Sequence, residues 1–344
     1  MPSRRQFLAT AGAAAAAVGL AGCSGDADDS PSGQWLYDPG AVYGRSFPWQ
    51  SYLSVAMPTA WQRREQLPDE WVATATSFDE GVESVNVDDL DRLTTLAFGT
   101  EELTTVGATA AATGDIRPRP VVQEFVDGNV TEYESVADYR LFGYAPSFLQ
   151  RVQRDGVTAQ GTFGLAVGQG TAVAGGLLAP TGTAVDAVAE MVRAGSAAAG
   201  GAAAAPNGDL QVVGRALRGS PLGSPPVSGG IAFEGEFASR LAGVVPESWP
   251  TLVAILDDLR AFGVGLRFAE AATLTSFVFV FHPRSIAENE NLRTAVQKLL
   301  DESEDPDSGI VGVRLGPGAR SLVVQTTVSA EAVWTDFRDN LPGF

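Results

Sequence analysis

Lysine is almost absent from this sequence: of 23 Lys and Arg only Lys298 is a lysine, set against 41 Asp and Glu, for a formal charge of −18. Charged residues make up 19% of the chain, below a typical share of about 25%, so the acidity comes from missing bases rather than added acids. Non-specific nucleic-acid binding is excluded, because phosphates need a basic face. Cysteine and histidine are equally scarce, one each at Cys23 and His282. That excludes an intrachain disulfide, most metal cages, Cys/His nucleophile pairs and thiol redox chemistry. No metal and no cofactor is expected. At 344 residues, the chain is long enough for two domains of roughly 150 residues.

The N-terminus is rich in signal. Ser3-Arg4-Arg5-Gln6-Phe7-Leu8 matches the twin-arginine export pattern, and an uncharged Ala/Gly stretch then ends at Leu20-Ala21-Gly22-Cys23. Leu8 to Gly22 is 15 residues, short of the roughly 20 that span a bilayer as a helix. The closing tetrapeptide resembles a lipobox. That resemblance implies that residues 1–23 hold the signal, that Arg4 and Arg5 are read by the twin-arginine translocase, and that Cys23 is lipidated as the mature N-terminus. Residues 24–34 are polar, acidic and without apolar period, which predicts a disordered tether. Removing the signal takes away Arg4 and Arg5 and no acid, moving the formal charge from −18 to −20. A surplus of acids with one lysine resembles the proteins of extremely halophilic archaea, so the chain is similar to haloarchaeal twin-arginine-exported lipoproteins of uncharacterised function. The resemblance implies a cell-surface protein on the outer face of the cytoplasmic membrane.

From Trp35 to Pro48 aromatics alternate with Gly and Pro, an irregular leading segment over the first core. Strands are expected at 52–57, 71–76, 104–113, 130–134, 139–144, 231–237, 262–268 and 274–281. Helices are expected from Pro58 to Arg64, at 88–96 where Leu90, Leu93 and Leu96 stand three apart, from Pro118 to a Gly128-Asn129 stop, at 149–154, from a Thr183 cap through Val192, at 210–217 and at 289–300. An apolar segment runs from Trp249 to Leu259, and Ser329 caps a last helix. Two hairpins are expected around Gly168-Gln169-Gly170 and Gly316-Pro317-Gly318. The 30 uncharged residues between Asp155 and Asp186 are too rich in Gly and Thr for a membrane helix. Gly195 to Pro206 has no packing code and divides the chain into a first domain, 35–194, and a second, 207–344, joined by an Ala/Gly linker, 195–206. Strand, Gly-x-Gly turn, strand and capped helix recur in both halves, either as an internal repeat or as two uses of a common unit. The expected fold class is α+β, two antiparallel sheets each backed by helices.

Chemical motifs are few. His282 ends the apolar run 277–281 with no Gly-x-Ser-x-Gly in the chain, which reads as structural. Lys298 stands beside Asp301 and Glu302 as a solvated charge. Asp307-Ser308-Gly309 resembles an aspartic-protease triplet without its strand or its twin, and as a Ca²⁺ loop it places Gly316 where the bidentate Glu belongs. Both Gly-x-Gly sites lack the third Gly of a dinucleotide fingerprint. Asn129-Val130-Thr131 is either an accessible glycosylation sequon at Asn129 or a chance tripeptide. No catalytic residue emerges. Two function classes remain: a lipid-anchored, non-catalytic interaction or structural module with a surface protein partner, and a surface-anchored hydrolase or solute-binding protein with a carboxylate-based site.

Overall fold

The computed structural model describes residues 35–125, 130–144, 152–154, 157–197, 207–219, 224–234, 258–269, 273–283, 285–302, 310–316 and 320–327. A single 13-stranded antiparallel sheet organises them. Its strands are β1 (Trp49–Ala56), β2 (Leu90–Gly99), β3 (Val106–Gly114), β4 (Thr131–Val136), β5 (Tyr139–Tyr144), β6 (Val152–Arg154), β7 (Val157–Gly168), β8 (Thr171–Ala179), β9 (Val227–Phe233), β10 (Leu259–Phe268), β11 (Thr273–Phe281), β12 (Ile310–Leu315) and β13 (Ser321–Thr326). The order is β12-β13-β11-β10-β9-β1-β2-β3-β8-β7-β5-β4, with β6 on β7. This corrects the expectation of two sheets. Residues 35–194 and 207–344 both contribute strands, and they meet where β1 runs antiparallel to β9 from Trp49↔Phe233 to Val55↔Val227.

Both faces are covered. The helices are α1 (Pro39–Tyr43), α2 (Met57–Gln62), α3 (Asp69–Gly81), α4 (Pro118–Phe125), α5 (Ala184–Ala197), α6 (Gly208–Arg218), α7 (Ser285–Glu288) and α8 (Glu290–Glu302). On the front face α5 packs over β7, β8, β5 and β3, while α6 packs over β9, β10, β11 and β13. Trp35, Leu36, Tyr37 and Phe47 of the leading segment join the same core. On the back face Leu292, Ala295 and Val296 of α8 pack on Phe233, Phe281 and Leu322. Farther along that face, Ala75 and Phe78 of α3 and Val121 of α4 cover Phe142, Leu165 and Val167.

Small residues in the sheet let the front helices come close. A Cβ on Gly143 would lie 2.2 Å from Val185 of α5, and one on Gly263 would lie 2.2 Å from Val213 of α6. Each helix therefore seats a valine where the strand has no side chain. Thr183 starts α5 as expected, with its N–H and O–H both donating to Asp186 Oδ2 at 3.0 and 2.8 Å.

Three local expectations are corrected. Residues 71–76 are helical within α3: Trp71, Ala75 and Phe78 face inward at helical spacing, and Thr74 and Thr76 donate their hydroxyls to the carbonyls of Glu70 and Val72, which accommodates threonine in a helix. Leu90, Leu93 and Leu96 lie on β2, not on a helix. A register shift between Leu90 and Arg92 puts Leu90 and Leu93 together on the back face, while Leu96 enters the front core; a strand buried on both faces mimics the three-residue period. Val152–Arg154 pairs with Val157–Ala159 as a strand in place of the helix expected at 149–154. Gly195 to Ala197 still belongs to α5, and the rest of the 195–206 stretch lies outside the described residues, as do 235–257 and the helix expected from Ser329. The strands expected to flank both Gly-x-Gly sites pair, β7 with β8 and β12 with β13, while Pro317 and Gly318 lie outside the described residues. The helix that would complete a second repeat is not among the described residues.

Two tyrosines of the front core set an alkaline limit. Tyr37 is fully buried with its hydroxyl 3.3 Å from Thr109 Oγ1, and Tyr43 donates to the Thr183 carbonyl at 3.0 Å. Burial pushes both phenols above their ordinary value, helped at Tyr37 by Tyr43 and at Tyr43 by Asp186. The unfolded chain loses these protons first, near pH 10, so their contribution is full below about pH 10 and is lost as pH rises beyond it. Unfolding free energy followed from pH 8 to 12 should fall above 10, and Tyr37→Phe with Tyr43→Phe should flatten the fall. A wild-type profile that stays level to pH 12 would contradict this assignment.

Candidate functional site

The alternation of side chains along paired strands places Thr94, Ser54, Ser228, Gly265, Ser276 and Gln325 in one row across the front face, each directly opposite the next on β2, β1, β9, β10, β11 and β13. Burial of such a row requires hydrogen bonds. Gln325 Nε2 donates to Ser276 Oγ at 3.2 Å, and Ser54 Oγ lies 3.4 Å from Thr94 Oγ1. Ser54 and Thr94 are each 1% exposed. Arg92, opposite Ala56 on the same face, reaches back and donates Nη1 to Ser54 Oγ at 3.1 Å.

Arg92 differs from the arginines paired with acids. Arg140 holds Glu132 at 2.9 Å, Arg193 holds Glu190 at 2.9 Å, and Arg320 is bonded to Asp209 at the start of α6. For Arg92 desolvation by burial lowers the guanidinium pKa, and among the described residues no carboxylate acts against it. It remains a cation at neutral pH. Arg314 is also lowered by desolvation, but it donates to the Ala216 carbonyl in the last turn of α6, where a cation suits the helix end.

The residues singled out from sequence are scattered. Arg4, Arg5, Cys23, Asn129 and the 307–309 triplet lie outside the described residues. His282 is exposed after β11, its N–H donating to the Asp258 carbonyl and its Nδ1 3.2 Å from the Pro283 carbonyl. Asp258 accepts from Asn289, which caps α8 through Oδ1. Lys298 is exposed on α8. Among the described residues no group of three His, Cys, Asp or Glu could hold a metal ion, and no helix is long and apolar enough to cross a membrane. Of the uncharged 156–185 stretch, the described residues 157–185 form β7, β8 and the start of α5. Arg92, Ser54 and Thr94 were missed by sequence reading. Their only local trace is polar residues at alternate positions of apolar strands, and Arg92 stands 38 positions from Ser54.

The twin-arginine translocation pathway signal sequence family matches residues 1–21. The chain is a twin-arginine-exported protein. Its signal implies handling by the translocase and passage across the cytoplasmic membrane. No curated protein matches this exported chain by sequence. Among solved structures it is similar to TP0453: crystal form I at 9% identity and a TM-score of 0.41, over 91% of this chain and 99% of that one, and crystal form III at 9% and 0.44, over 91% and 100%.

Proposed function

We propose that this exported chain is a lipoprotein, anchored through acyl chains on Cys23 to the outer face of the cytoplasmic membrane, and that it works by contact with a surface partner rather than by turnover. The observation that carries the reading is the order of the N-terminal parts: twin Arg4-Arg5, an apolar stretch too short to span, and the chain's sole cysteine directly after Leu20-Ala21-Gly22. The 11 residues from Ser24 to Gln34 reach at most about 40 Å, so the body that begins at the buried Trp35 is held close to the bilayer. Contact rather than catalysis is supported by the inventory: the one histidine is exposed at a strand end, and the one cysteine belongs to the anchor. The acid surplus supports a halophilic, archaeal setting.

Mass spectrometry of protein extracted from membranes should find an acylated N-terminal Cys23 and no residues 1–22. An intact Met1 start with an unmodified Cys23 would end the lipoprotein reading.

A further inference from the structure

The corner of the front face at Arg92 has more hydrogen-bond donors than acceptors. Arg92 offers five N–H groups, of which one is placed, on Ser54 Oγ. Ser54 and Thr94 carry two hydroxyl protons between them, and one satisfies the contact between their oxygens. Whichever way that contact points, the other proton has no acceptor among the described residues. Ser228 stands directly opposite Ser54 on the same face, about 5 Å away between Cβ atoms; it is 5% exposed, and its hydroxyl also finds no partner among the described residues. Among the described residues no carboxylate moderates the guanidinium.

We propose that Arg92, Ser54, Thr94 and Ser228 form a binding site for an oxyanion, a phosphate or carboxylate group presented by a ligand. The planar guanidinium offers the paired N–H groups that suit two oxygens of such an anion. Arg92 is part-buried at the end of the row, beside the buried hydroxyls of Ser54, Thr94 and Ser228. The anion supplies acceptors without a proton and neutralises the charge of Arg92. The site does not depend on the lipid anchor.

Two probes test it on the full-length chain, made with Cys23→Ser so that no acyl chain contributes: inorganic phosphate replacing chloride at constant ionic strength, and vesicles of phosphatidylglycerol compared with phosphatidylcholine. Phosphate should raise the unfolding midpoint of the parent chain. Arg92→Gln should weaken the response by roughly tenfold or more in phosphate concentration, and Ser54→Ala by a smaller factor. Arg140→Gln, at an exposed pair, should leave it unchanged. Where Arg92→Gln does not fold, Arg92→Lys and Ser228→Ala take its place and should each weaken the response. Arg92-dependent retention on phosphatidylglycerol identifies a lipid headgroup as the source; an Arg92-dependent response to phosphate alone identifies a soluble ligand. Either supports the site. No response to either probe, or equal responses in parent and Arg92 variants, overturns it.

Discussion

Gly263→Ala is expected to lower the unfolding free energy by about 2 kcal/mol, although it adds one methyl group. The new Cβ would sit 2.2 Å from Val213 Cγ1 and 3.2 Å from the Gly229 carbonyl. Val213 is fully buried and is also held 3.0 Å from the position of a Cβ on Gly230, so it cannot step aside along the sheet without meeting β9. Val213→Ala alone should cost about 2 kcal/mol by leaving a void. Together the two changes should cost less than their sum by at least about 0.5 kcal/mol, because the second relieves the clash made by the first. Denaturant unfolding at fixed KCl measures all four corners of the cycle. Strict additivity would mean that α6 moves as a body rather than seating Val213 against Gly263. The equivalent pair under α5 is Gly143 with Val185.

The second large effect is expected from salt. A mature chain at −20 repels itself in dilute buffer, where the Debye length at 0.01 M is about 30 Å, and much less at 1 M, where it is about 3 Å. Exposed pairs such as Arg140 with Glu132 contribute little against that repulsion. The unfolding midpoint should rise from dilute to molar KCl; recovery of about 3 kcal/mol corresponds to about 4 °C in a chain of this size. Sodium and potassium chloride should act alike, since the effect is screening. A midpoint unchanged across that range would make the acid surplus incidental to stability.

The elements that were legible in the sequence are those whose signal is local. The Gly168-Gln169-Gly170 hairpin, the Pro-started α4 and the Asn289-capped α8 each carry their own turn or cap chemistry, and each forms where expected. Residues 71–76 misled because alternating Val and Thr imitate a strand until the threonine hydroxyls find carbonyls four residues back. Leu90, Leu93 and Leu96 misled because a strand covered on both faces has no empty side to reveal its period. The single sheet was beyond reach: nothing in Trp49–Ala56 names Val227–Phe233 as its neighbour. The oxyanion site depends on that pairing, since only the register of β1 with β2 and β9 brings Thr94, Ser54 and Ser228 side by side. By contrast, the export signal is a contiguous motif and was readable outright.

The pairing of β1 with β9 also bears on the order of events in the cell. β1 is the first of the described strands to be synthesised, close behind the twin-arginine signal, yet one of its two edges stays bare until Val227 to Phe233 has been made. At about 5–20 residues per second the ribosome needs roughly 10–35 s to travel from β1 to β9. During that interval the signal is already available to be recognised while the centre of the sheet is an open edge, the kind of surface that invites mispairing. A translocase that carries folded cargo therefore receives this chain in a transportable state only after the second half has closed onto the first. Among the described strands of the first half, the one nearest the export address waits longest to be secured on both sides.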